Sequence, residues 1–162
     1  MDNSNKLREP VSYMARTRSF YQAQGFEKFY SWAKAERNLR HKLSKPLKDC
    51  KVTFVTTAVP DGSIQKMART ASSHQMNVMP DHFRTDELSW DKEATHTEDR
   101  GSYIPLHPLQ KLLEEGVIGS LADQYHFVPT EYSQRKTIHS DAPTVLEACI
   151  KDEVDIVILI PL

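Results

Sequence analysis

The plainest pattern along the chain lies near its end. Val154 to Ile160 is a nearly unbroken apolar run, interrupted only by Asp155. A short apolar run of β-branched residues predicts a parallel strand covered by helices on both faces. Lys51 to Thr57 (Lys-Val-Thr-Phe-Val-Thr-Thr) follows a Pro46-containing linker and predicts the first core strand. A third strand is expected over Gln124 to Val128. Leu106 to Glu115 reads as a short helix, with Pro108 in its first turn and Gly116 where a left-handed residue closes it. Asp141 is placed to cap another helix, with Pro143 in its first turn and Val145, Leu146, Cys149 and Ile150 on one face. That makes Cys149 a core residue. Pro60, Asp61 and Gly62 predict a loop. Ser63 to Arg84 has no clean period and predicts extended structure and loops, with a short strand near Met76 to Val78.

Val11 to Lys42 interleaves Tyr13, Met14, Phe20, Tyr21, Phe26, Phe29, Tyr30 and Trp32 with charged side chains, and Gly25 divides it into two helical pieces. The segment reads as an amphipathic arm using its aromatics as packing anchors, in preference to a surface for stacking bases or a cofactor. The expected organisation is a helical arm and linker over 1–48, then an α/β domain over 49–162. That domain would have a mainly parallel sheet with flanking helices, Rossmann-like or flavodoxin-like.

Composition narrows the function classes. With 21 basic and 22 acidic residues the net charge is −1, so no cationic excess is available for nucleic acid or an anionic membrane surface. No apolar run nears the roughly 20 residues that cross a bilayer, and Met1 to Pro10 is polar, so a cytoplasmic location is expected. Cys50 and Cys149 are too far apart in sequence for a disulfide framework or a structural zinc site to be expected. His74, His82, His96 and His107, with Asp81 and Asp86, lack the tight spacing of metal ligands, and no metal site is predicted.

Ligands of open α/β sheets bind beyond the carboxyl ends of the strands. The expected site therefore surrounds Thr57 and Ile160. The hydroxyls of Thr56 and Thr57 either face a crevice or close a strand end. His96 and Asp99 are spaced for a general acid/base pair or for tying a loop. Glu131, Tyr132, Ser133 and Arg135 follow a predicted strand and could clamp a substrate carboxylate and position a donor, though a solvated loop has the same composition. Neither cysteine stands where a nucleophile belongs, so little redox catalysis is expected of these 162 residues alone.

Several segments, in order and spacing, resemble the selenoprotein B family of glycine, betaine, sarcosine and D-proline reductases, especially its short single-chain members. They are Phe29-Tyr30-Ser31-Trp32-Ala33, Lys45-Pro46-Leu47, Val52 to Ala58, Thr95-His96-Thr97-Glu98-Asp99, Ile104-Pro105-Leu106, Glu115 to Ala122, Pro129 to Arg135 and Val154 to Pro161. The family pattern differs at Val59-Pro60, where a glycine is common. The resemblance implies a selenocysteine or cysteine directly after the last strand, at a helix N-terminus that stabilises the anion. It thereby implies that the chain is the front part of a reductase, read to a UGA codon after Leu162, with no other cofactor in this chain. It further implies reductive carbon–nitrogen cleavage of a small amino-acid-like substrate, a thiol protein as electron donor and, in some relatives, a pyruvoyl-bearing partner. A chain so cut would leave apolar surface exposed and favour homo-oligomers. The alternative is a complete, non-catalytic protein that binds a small carboxylate or assembles with a separate thiol-bearing subunit.

Overall fold

The structure is a computed structural model that describes residues 12–28, 42–60, 70–84, 97–130 and 133–162. The chain divides into two units, Met1–Asn38 and Leu39–Leu162. In the first, helix α1 (Tyr13–Ala23) buries none of its residues. Its aromatic side chains meet each other, Tyr21 lying edge-on to both Phe20 and Phe26. Gly25, at φ +83°, takes the left-handed conformation that breaks the helical path, as its sequence position suggests. Phe29, Tyr30 and Trp32 lie outside the described residues.

The second unit is built around β1 (Lys51–Thr56), whose valines, Phe54 and threonines are all buried. The remaining strands are β2 (Val59–Pro60), β3 (Ser72–Gln75), β4 (Phe83–Arg84), β5 (Ser120–Leu121), β6 (Gln124–Phe127) and β7 (Ile156–Ile160). β7 runs parallel along one edge of β1, from Val52 opposite Ile156 to Thr56 opposite Ile160. The other edge of β1 is shared by β5 at its start and β6 at its end, both parallel. β3 joins antiparallel outside β6. The result is a mixed, mainly parallel sheet flanked by helices, an α/β fold.

The ladder slips where β5 gives way to β6. Val52 faces Leu121 but Val55 faces His126, so residues 122–125 stand against only Thr53 and Phe54. The buried hydroxyl of Thr53 fills the gap, donating to the Gln124 carbonyl at 2.6 Å. A buried hydroxyl needs such a partner, and a disrupted ladder leaves carbonyls free to supply one.

Two segments differ from expectation. Of the expected loop, Pro60 instead belongs to β2, paired antiparallel with β4, and Asp61 and Gly62 lie outside the described residues. The extended segment lies at Ser72–Gln75, and Met76–Val78 forms a 3₁₀ turn. Ser-Ser-His-Gln carries no apolar alternation; its strand conformation comes from pairing with β6, while the Met76 N–H turns off to the Asp123 carbonyl.

One sheet face holds the apolar core. Phe54 stacks on Tyr125 at 5.4 Å, His74 stacks on Tyr125, and Phe83 meets both Tyr125 and Tyr103 edge-on. Ile104, Leu109 and Ile118, in and around helix α2 (Leu106–Glu114), close it. α2 ends as its sequence predicts, with Gly116 at φ +68°. Gly119 passes so near the backbone of Lys48 and Asp49 that a Cβ would stand 2.8 Å from the Asp49 carbonyl carbon.

The other face carries a continuous helical stretch: α3 (Gln134–Lys136), a π-helical turn (Thr137–Asp141) and α4 (Ala142–Lys151). This corrects the expected start at Asp141. Ser133 is the cap, its hydroxyl accepting from the Lys136 N–H at 3.3 Å. The face grouping also divides: Val145 and Cys149 turn inward, whereas Leu146 and Ile150 are exposed. Nor is β7 covered on both faces. Ile156, Ile158 and Ile160 join the core, but Val157 and Leu159 are 38% and 75% exposed. Among the described residues no helix is long and apolar enough to cross a membrane.

Candidate functional site at the carboxyl edge of the sheet

β1, β6 and β7 are parallel, so their carboxyl ends share one edge. Thr56 and Thr57 stand there. Thr56 is fully buried, and its Oγ1 accepts from the Ala58 N–H at 3.1 Å, turning the chain out of the strand. Thr57 Oγ1 accepts from the Leu162 N–H at 2.8 Å and donates to the Leu162 carbonyl at 3.3 Å. The Val128 N–H donates to the Thr56 carbonyl, drawing the exit of β6 to the same place. Both threonine hydroxyls thus close strand ends.

Of the other expected site residues, Asp99 and Ser133 have structural partners. Asp99 accepts from the Gly101 N–H at 2.9 Å and caps a 3₁₀ turn over Arg100–Ser102. Arg100 secures that turn by donating to the Pro80 carbonyl at 2.7 Å and to Asp81 at 3.3 Å. Ser133 caps the helical stretch, and Arg135 in its first turn is exposed. His96, Glu131 and Tyr132 lie outside the described residues.

Sequence reading gave Asp141 only a capping role. Its side chain is 3% exposed, and its Oδ1 has no hydrogen-bond partner. It lies in the π turn, on the inward stripe formed with Val145, Ala148, Cys149 and Asp152. The Asp-Ala-Pro sequence is an ordinary helix-start signal, and nothing in it marks a π turn.

Buried between sheet and helix is a second polar group. His126 joins Ser73 Oγ through Nδ1 at 2.9 Å and Cys149 Sγ through Nε2 at 3.5 Å. Burial holds His126 below its ordinary pKa and pushes the Cys149 thiol up. A neutral imidazole has one donor and one acceptor, and a protonated thiol on Nε2 with Nδ1–H on Ser73 satisfies both. The arrangement suits a closed core contact, because a reactive cysteine needs thiolate character and access. Cys50 is also buried and free, its thiol against the Pro46 carbonyl at 3.4 Å.

At the opposite, amino edge a polar cleft of about 470 Å³ is lined by Lys45, Asp49, Lys51, Ser120, Ile150, Glu153, Val154 and Asp155. Both of its lysines are already paired. Lys45 pairs with Asp155 at 2.8 Å, Lys51 with Asp152 at 3.1 Å, and the Lys51 N–H donates to Asp155 at 2.7 Å. The hydrogen bond with Lys45 holds the Asp155 carboxyl below its usual range and raises Lys45. These bonds fasten the end of α4 to the start of β1, so the cleft reads as a structural clasp. Among the described residues no three His, Cys, Asp or Glu side chains converge to hold a metal ion. Comparisons with family models, curated proteins and solved structures find no match to this chain.

Proposed function

We propose that this chain is the sheet-bearing front part of a selenol- or thiol-dependent reductase acting in the cytoplasm, of the selenoprotein B type. The observation that supports this reading most is the Thr57–Leu162 tie beside β1. A residue joined after Leu162 would emerge at the carboxyl edge of the sheet, where open α/β folds bind ligands. A selenolate or thiolate there would act as the nucleophile in reductive cleavage of a small amino-acid-like substrate, with a thiol protein returning the electrons. The two buried, unpaired thiols suit a reducing compartment. Reading the transcript beyond the Leu162 codon tests it. An in-frame UGA or a cysteine codon, followed by codons for a nearby cysteine and a helix, is the expected result; a UAA or any other sense codon overturns it.

A second reading, a non-catalytic assembly protein, is favoured by one observation: Val157 and Leu159 on β7 and Leu146 and Ile150 on α4 leave apolar side chains exposed. An ordinary stop codon, together with a defined complex containing a thiol-bearing partner, would select it.

A further inference from the structure

Helix α1 leaves its side chains exposed, although its sequence is built for packing. Tyr13, Met14, Phe20, Tyr21 and Phe26 are between 48% and 74% exposed. Single exposed apolar residues are ordinary, but a contiguous patch marks a surface that another molecule covers. At about 100° per residue, Tyr13, Met14, Thr17, Phe20 and Tyr21 fall on one stripe roughly 120° wide, with Arg16 and Arg18 along its two borders. Ala15, Ser19 and Gln22 occupy the opposite side. From Ser12 to Phe26 there is no acidic residue.

The patch is also held in shape. The Gly25 N–H donates to the Gln22 carbonyl and the Phe26 N–H to the Tyr21 carbonyl, both at 3.0 Å, the paired bonds of a Schellman turn. That turn folds Phe26 back on Tyr21, whose ring centre lies 5.7 Å from that of Phe20 and 6.0 Å from that of Phe26. Yet α1 has only 11 residues and buries none of them. A helix so short is marginal alone in water, where helical stability comes mainly from packing of the apolar face. A covering surface would supply what α1 lacks.

We propose that α1 is a docking helix for a second protein, one that presents an apolar groove with carboxylates along both rims. Aromatic residues, Met and Arg are the side chains that protein interfaces favour, and anchors on one face, here Tyr13, Phe20 and Tyr21, suit a helix laid in a groove. The borders of the stripe carry positive charge alone, which selects acidic rims. A lipid surface fits less well, because α1 has no leucine, isoleucine, valine or tryptophan to insert. A platform for successive bases wants similarly oriented ring faces, whereas Tyr21 stands at 77° and 82° to its two neighbours. α1 lies outside every segment that carries the family resemblance, and docking needs no redox chemistry, so this interface stands apart from the reductase reading.

The test is Phe20→benzoylphenylalanine in the full chain, expressed in its native host and irradiated in the cells. Mass spectrometry identifies the adduct, and the captured protein is then purified and titrated with the unlabelled chain by calorimetry. A saturable affinity that falls at least tenfold in Tyr21→Ala, and whose salt dependence flattens in Arg16→Gln, supports the proposal. No adduct, an adduct confined to this chain, an affinity unchanged in Tyr21→Ala, or a salt dependence unchanged in Arg16→Gln overturns it. Vesicles of phosphatidylcholine and phosphatidylglycerol, and a single-stranded oligonucleotide, are the remaining probes. Binding to either that Tyr21→Ala abolishes would give the helix to that surface and overturn the proposal. Because these side chains are exposed, both variants should melt with the parent protein; a clearly lower midpoint in Tyr21→Ala would assign the ring a structural role and overturn it as well.

Discussion

The hydroxyl of Thr57 and the backbone of Leu162, 105 residues apart in sequence, exchange two hydrogen bonds at the carboxyl ends of β1 and β7. This tie continues the parallel pairing past the last strand residue and fixes where the chain leaves β7. Thr57→Ala removes both bonds and should cost about 1 kcal/mol in urea unfolding. Thr57→Ser, which keeps the hydroxyl, should recover most of it. Equal losses in the two variants would show that the methyl group, and not the tie, matters.

Gly119 has no room for a side chain. The atoms a Cβ would strike belong to the backbone of Lys48 and Asp49, which cannot swing aside as a side chain can. Gly119→Ala should therefore destabilise by roughly 1–3 kcal/mol, in the range of overpacked sites. Gly116→Ala should also destabilise, for a different reason: open space surrounds it, but its φ of +68° disfavours any residue with a Cβ.

The clasp at the amino edge predicts an acid response. Asp155 has its folded pKa lowered, first by the hydrogen bond from Lys45. Its contribution is thus present above the ordinary carboxyl value near 3.8 and is lost as pH falls through the lower, folded value. Asp155→Asn should flatten the fall of melting temperature below about pH 4. Lys45 is raised, so its share is present below the ordinary lysine value and fades as pH climbs through the folded one. An acid limb unchanged in Asp155→Asn would count against the clasp.

His126 predicts a second pH window with the same sign. Burial lowers its folded pKa from 6.5, so the unfolded chain takes up a proton first as pH drops. Stability should fall between pH 6.5 and the folded pKa, then level off. His74, also lowered by burial, adds to the slope. His126→Asn keeps a polar group near Ser73 while removing one titration, and should reduce the slope between pH 7 and pH 5 in urea unfolding. An unchanged slope would assign it to another group.

How far the sequence could be read depended on where the information resides. β1, β6, β7 and α2 were legible because their apolar residues, Pro108 and Gly116 act locally and recur at the right period. β3 was not, because Ser72 to Gln75 owe their extended form to a partner strand some fifty residues away. The helix start was misread because Asp141 and Ser133 are both good caps, and only tertiary packing selects between them. At the site, the residue types of Thr57, Asp99 and Ser133 drew notice for chemistry, yet each is satisfied by backbone. Asp141 stands out only once its burial and missing partner are known, and neither can be seen in a string of letters.

The exposed side of β7 has a consequence for handling the protein. Ile156 to Ile160 contains no charge, proline or glycine, and among the described residues its only strand neighbour is β1. Native edge strands usually carry a lysine, a proline or a bulge that stops another chain from adding to the ladder. Within the strand none of those gatekeepers is present, Asp155 and Pro161 standing only at its two ends, and a short apolar β-branched segment is the kind that nucleates cross-β stacking. Loss of monomer on standing should rise steeply with protein concentration, and a single Val157→Lys or Leu159→Lys change on the exposed face should slow it without disturbing the core.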